Sequence, residues 1–292
     1  MGQTLMAVFP GGGGDATLYQ MFLPDGGDWT GASALPNGAH SGAAPALVQA
    51  WGKVWCVFTG SDNQNLWWCA YDPADQSWTP SQSFNGNQTN AGPAVALYDG
   101  KLFCVHKGGD GDNNLYWCTF DPAVGEWSGD NEFNQGNQCG STPALAVHNG
   151  QLVCVHSGQW DDDSLWWTAF DGQNWAEDQP FDQGNRCLGG GWLISYQGYL
   201  YFIHRGGGGD QSMWWCTYSG TGWTEDQQFP QGNQTDGIPC TVPFSQRLCC
   251  VHRGNDEDDS LYVCWQEGGW TGDGRVDNGA TSRAGPGLTV LD

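Results

Sequence analysis

Positive charge is scarce in this chain. Its 292 residues hold nine Lys and Arg against 32 Asp and Glu, for a formal net charge of −23. Phosphate backbones and anionic membrane surfaces are bound by clustered Lys and Arg, so no nucleic-acid partner is expected, and no anionic membrane surface. The excess of acid keeps an aromatic-rich chain soluble. No apolar run reaches the ~18 residues a spanning helix needs, so membrane insertion is not expected. Met1-Gly2-Gln3-Thr4 lacks the basic region and apolar core of a secretory leader, and Met6 stands where a myristoylation signal has Ser or Thr. The expected location is cytoplasmic, or outside the cell by release without a classical signal peptide.

Other absences narrow the chemistry. No CxxC pair occurs, and the His are spread over distant strands, so no zinc site and no other metal or cofactor is expected. Acidic loops occur at Asp110/Asp112, Asp161-Asp162-Asp163, Asp210 and Asp256-Glu257-Asp258-Asp259, but none has the DxDxDG spacing with a later Glu. They read as solvated turns, with calcium as the alternative. There is no linker and no low-complexity segment.

What is present is a repeat. Gly 46 and Trp 18 fit many short strands joined by tight turns. A strand centre recurs at Ala7, Cys56, Cys104, Cys154, Phe202 and Cys250, at intervals of 48 to 50 residues, and the interval across the two chain ends is of the same size. Six units without remainder, each with four strands, predict an all-β six-bladed propeller of antiparallel blades. The units run 282–292 with 1–39, then 40–89, 90–139, 140–187, 188–235 and 236–281, making one domain. Gly285 to Leu291 matches Gly92 to Tyr98, so the C-terminal strand is expected to join the N-terminal blade and close the ring. Closure removes the free sheet edge that invites aggregation. Asp99-Gly100 and Asn149-Gly150 are two-residue hairpin turns between the first two strands. In the fourth unit the strands are expected at 143–148, 151–156, 164–170 and 174–181.

Hairpin register pairs Cys56 with Cys69, Cys104 with Cys118, Cys250 with Cys264, Cys154 with Thr168 and Phe202 with Cys216. A slot that accepts Ala, Phe, Thr or Cys is a packing position, and free Cys is a small buried hydrophobe. Reduced core thiols are therefore preferred over cross-strand disulfides.

Strand alternation puts the long loops between strands two and three at the same end as the inter-blade connections. Rigid scaffold with variable loops at one rim is the usual layout of a binding face. Four constellations gather near it. Trp29, Trp78, Trp127, Trp175, Trp223 and Trp270 close the six units and read as wedge packing. The third strand carries paired aromatics, whose second members include Trp117, Trp167 and Trp215, open to stacking on sugar rings. His106, His156, His204 and His252 end the second strand, followed by Lys107, Arg205 and Arg253, with Ser157 breaking the pattern. Gly-Asn-Gln or Gly-Asn-Arg ends four units, from Gly86-Asn87-Gln88 onward, giving Asn137, Gln138, Asn185, Arg186, Asn233 and Gln234. Flat aromatics beside bidentate donors and acceptors suit neutral polyols.

The run Gly92-Pro93-Ala94-Val95-Ala96, then His204-Arg205-Gly206, Leu165-Trp166-Trp167 and Phe170-Asp171-Gly172-Gln173-Asn174-Trp175, resembles the Trp-rich β-propeller lectins. These include tectonin-type proteins and the bacterial and fungal fucose-binding propellers. The resemblance implies a non-catalytic, multivalent, sugar-binding agglutinin with glycan pockets between adjacent blades, acting as monomer or dimer on glycans or glycoconjugates. Phe9 and Phe58 stand where the other units have His, which puts the pockets of the first two units in doubt. Two alternatives stay open. A sialidase-like glycoside hydrolase would need converging Arg, and the six Arg of the chain follow repeat positions or stand alone. A protein-interaction propeller would show an apolar rim.

Overall fold

The structure is a computed structural model and describes residues 2–133, 136–160 and 162–291. Six antiparallel sheets form a β-propeller ring. In the third blade the strands are Ala94–Tyr98, Lys101–Lys107, Leu115–Asp121 and Glu126–Trp127, from the axis outward. The closing strand is as expected: Gly287–Leu291 pairs antiparallel with Thr4–Pro10 and completes the first blade. Every hairpin register expected for the Cys slots is present.

The second strand of each blade is apolar on both faces because both faces are covered. In Lys101–Lys107 all six residues after Lys101 are buried. Alternation sends Leu102 and Cys104 toward the second blade, and Phe103 and Val105 toward the fourth. The hydrophobic core is therefore six layers, each shared by two neighbouring blades, rather than one central mass. All twelve cysteines are buried free thiols within or beside these layers.

Turn chemistry sets the short-turn end. Asn149 (φ 49°) and Gly150 (φ 78°) both take left-handed backbone, as a type I′ hairpin requires. In the second blade Trp51 (φ 51°) occupies that place beside Gly52, 43% exposed.

The fourth strands differ from expectation. In the fourth blade the sheet keeps only Gln179–Pro180 and a lone bridge from Phe170 to Trp175. Between them the chain leaves the sheet, and this detour carries Asp178 toward the preceding blade.

At the axis the inner strands close on one another. Pro45, Pro93, Pro143, Trp192, Ile238 and Pro286 are among the residues lining a cavity of about 20 Å³, room for about one water. None of the residues lining that cavity is charged.

The closing Trp of four blades stacks on a Phe from the blade before it: Phe84 on Trp127, Phe133 on Trp175, Phe181 on Trp223 and Phe229 on Trp270, with ring centroids 4.3 to 4.5 Å apart. This is the wedge packing read from the sequence. Phe181→Ala should cost about 3–5 kcal/mol, whereas Val124→Ala, on an exposed turn, should stay within about 0.5 kcal/mol. Denaturant unfolding of both variants measures the contrast.

Candidate functional site

Each blade joint is built from the exit segment of one blade and the second to fourth strands of the next. At four joints it contains an Asn, a His and an Asp. Asn185 Nδ2 donates to Asp226 Oδ1 at 2.6 Å, and His204 Nε2 lies 3.0 Å from the same oxygen. His204 Nδ1 lies 2.9 Å from the carbonyl oxygen of Arg205. His106 with Asp130 and Asn87, and His156 with Asp178 and Asn137, repeat the set. His252 joins Asp273 in the same way. Both neighbours of the His204 ring, and of the His252 ring, are acceptors, so each of these two rings satisfies both only as the doubly protonated imidazolium.

Burial by itself would push the His204 imidazolium down, but the Asp226 carboxylate and contacts from Cys187 and Cys216 outweigh it and raise the pKa well above the ordinary value. For His252 the Asp273 carboxylate likewise overcomes burial. Burial works against the Asp226 carboxylate too, yet the hydrogen bonds from His204 and Asn185 hold it below the usual range. The pair at this joint thus stabilises the fold above the ordinary Asp range. Its contribution is complete below the ordinary imidazole value and is lost as pH rises through the raised His204 pKa.

The two remaining joints replace the whole set. Ala39, Phe58 and Ser81 stand in for Asn, His and Asp between the first and second blades, and Ala280, Phe9 and Ala32 between the sixth and first. The Phe of the stack is Leu35 and Val276 in these joints. No joint combines members of the two sets.

The expected rim positions therefore do not hold for several residues. His106, His156, His204 and His252 are at most 2% exposed, and Asn137, Asn185 and Asn233 at most 4%. They belong to the joints. Lys107 is buried. Arg205 pairs with Asp236 and Arg253 with Asp259, both at 3.1 Å, which turns them inward too. Trp117 sits between Phe103 and Phe170, Trp167 against Tyr218, and Trp215 against Tyr201, half-buried in the layers between blades. Their neighbour in the repeat, Trp68, lines a cleft with Trp51 and Pro122 at the short-turn end. Arg186 and Gln234 are exposed at the rim and Gln138 is half-exposed there.

The rim clefts are built from other residues. Between the first and second blades a cavity of about 190 Å³ is lined by His40, Phe58, Asp62, Asn63, Trp67 and Ser81, among others. Between the fourth and fifth, one of about 300 Å³ is lined by Gly184, Arg186, Gly206, Asp210, Trp214 and Asp226, together with Gly207. These are the same place in the repeat. The joint with Phe58 in place of His has a cleft all the same, framed by the loop and the first aromatic with Phe58 among its lining.

That aromatic is stapled to its loop. Asp210 Oδ1 accepts from the Ser212 amide and Oδ2 from Trp214 Nε1, at 2.9 and 2.8 Å. Asp15 does the same with Thr17 and Tyr19, Asp112 with Asn114 and Tyr116, and Asp258 with Ser260 and Tyr262. Hydrogen bonds from Ser260 and Tyr262 hold Asp258 below the usual carboxylate range. One carboxylate of each of these acidic loops thus serves as an internal turn staple; Asp161 lies outside the described residues. The signal was present in the sequence as an Asx four residues before an aromatic in all six units, Asp15/Tyr19 through Asp258/Tyr262. Glycine keeps the loop close: a Cβ on Gly206 would come within 2.6 Å of Asp210 Oδ2.

No protein-family model matches the chain, and no curated protein matches it in sequence. Among solved structures it is similar to a variant of Aleuria aurantia lectin in complex with Fucα1-6GlcNAc, with a TM-score of 0.68 at 12% identity over 96% of this chain and 94% of that one. It is also similar to AofleA from Arthrobotrys oligospora, with a TM-score of 0.60 at 11% identity over 98% and 88%. An α-L-arabinofuranosidase from Clostridium thermocellum has a TM-score of 0.55 at 13% identity over 83% and 95%. At these identities the likeness is one of fold.

The all-or-none exchange of joint residues gives a stability prediction. Asp226→Ser alone strands the buried His204 and should cost roughly 3 kcal/mol. Asn185→Ala, His204→Phe and Asp226→Ser together reproduce the joint of the first two blades and should recover most of that loss. Wild type should also lose stability relative to the triple variant as pH rises through the raised His204 pKa, which denaturation midpoints across pH will measure.

Proposed function

We propose that the protein is a multivalent, non-catalytic carbohydrate-binding propeller whose sugars enter the rim clefts between adjacent blades. The observation that carries this reading is the recurrence, at equivalent joints, of one cleft: a half-buried aromatic beside hydrogen-bonding side chains from both blades. Trp67 and Trp214 offer an apolar face to the C–H face of a sugar ring. Asn63, His40, Ser81, Arg186 and Asp226 offer donors and acceptors to hydroxyls around it. An enzyme needs one set of unlike groups, whereas these clefts are variants of one set. Shallow sites of this kind bind weakly one at a time and gain strength when a second contact becomes intramolecular.

The fold likeness to lectins supports the reading; the likeness to an arabinofuranosidase raises the hydrolase alternative. Closure of the axis by uncharged residues weighs against a central active site. So does the dispersal of Arg205 and Arg253 into ion pairs of separate joints.

A glycan array with labelled protein tests this proposal. Wild type should give hits that share a terminal sugar. Trp67→Ala and Trp214→Ala should each lower the apparent avidity severalfold, and the double variant should fall further, with thermal stability largely kept. A blank array for folded wild type, or unchanged binding by the double variant, would overturn the assignment.

A further inference from the structure

Three of the four polar joints hold one more group. His106, Cys118 and Asp130 bring an imidazole nitrogen, a thiol and a carboxylate oxygen within 4.8 Å of one another, as do His204, Cys216 and Asp226, and His252, Cys264 and Asp273. The register explains the thiol. His204 is opposite Trp214, and Cys216 lies two residues further along the same strand, on the same face and diagonal to the ring. The fourth joint keeps His156 and Asp178 but has Thr168 at the thiol position.

We propose that these three clusters are binding sites for a borderline divalent transition-metal ion, Zn²⁺ by the chemistry of the donors. Imidazole, thiolate and carboxylate together suit zinc or cobalt, not calcium or magnesium. Each His Nδ1 is held by the carbonyl of the next residue, at 2.8 to 2.9 Å, which leaves Nε2 to face the cluster. That carbonyl contact is the usual way a ligating His is oriented. Nε2 and the Asp oxygen stand 2.9 to 3.0 Å apart, close to the edge of about 3.3 Å that two zinc bonds of about 2.0 Å define in a tetrahedron.

Asn185 closes the His204 cluster from the preceding blade: it is 4% exposed, and its Nδ2 donates to Asp226 Oδ1 at 2.6 Å and to the Thr224 carbonyl at 3.2 Å. Access exists as well, because Asp226 is also part of the rim cleft between the fourth and fifth blades. Binding releases the Nε2 proton and the thiol proton, so two protons leave for each ion that enters and no electron is transferred.

Cobalt(II) titration of the intact, chelator-treated and reduced protein tests the proposal. The probe is read by its visible bands and by thiolate-to-metal charge transfer, with stoichiometry checked by elemental analysis. Three thiolate-bound ions per chain are expected, with two for Cys118→Ser. Thr168→Cys should create a fourth, and it decides the matter even if Cys118→Ser fails to fold. Absence of a thiolate band in wild type, or a count that Thr168→Cys leaves unchanged, would overturn it and leave the clusters as hydrogen-bonded joints only.

Discussion

The joint between blades is the constraint on which the rest of the molecule depends. A single four-stranded blade exposes two apolar faces, and only its neighbours can cover them. Phe181 on Trp223, with Asn185, His204 and Asp226 beside them, shows how one joint does so. The stack contributes area. The hydrogen-bonded set contributes orientation, because a carboxylate and an imidazole are satisfied at only one relative position of the two blades. Where the set is absent, Phe58 or Phe9 fills the place of the imidazole.

This arrangement explains why residues that look functional along the chain are structural in space. A His beside aromatics at the end of a strand, followed by Lys or Arg, has the composition of a binding site. The fold spends it on the joint, and the exposed chemistry falls to the residues around it. The loop Asp, tied to its own backbone and to the first aromatic, sets the wall of the cleft. The exit segment of the preceding blade supplies Arg186 or His40 from across it.

Much of the fold was legible in the sequence because a period of 48 to 50 residues and a constant hairpin register are local, repeated signals. Cys104 opposite Cys118 and the return of Gly287–Leu291 to the first blade follow from counting alone. The candidate site was less legible. Whether a strand residue faces the rim or a neighbouring blade depends on how sheets pack, and Trp117 and Tyr116 differ by one position yet end in different environments. The partner of His204 lies 22 residues away, on a segment that leaves the sheet. The coupling of Asn, His and Asp was nonetheless written in the repeat, since a joint lacking one lacks the others, the Asn coming from the unit before.

The central claim is that several equivalent rim clefts each take a sugar. Native mass spectrometry of the folded protein with the free monosaccharide identified as its ligand measures this most directly. The account predicts a ladder of complexes with more than one sugar per chain, shortened by one step when Trp214 is replaced by Ala. A single bound sugar that survives that replacement would contradict it.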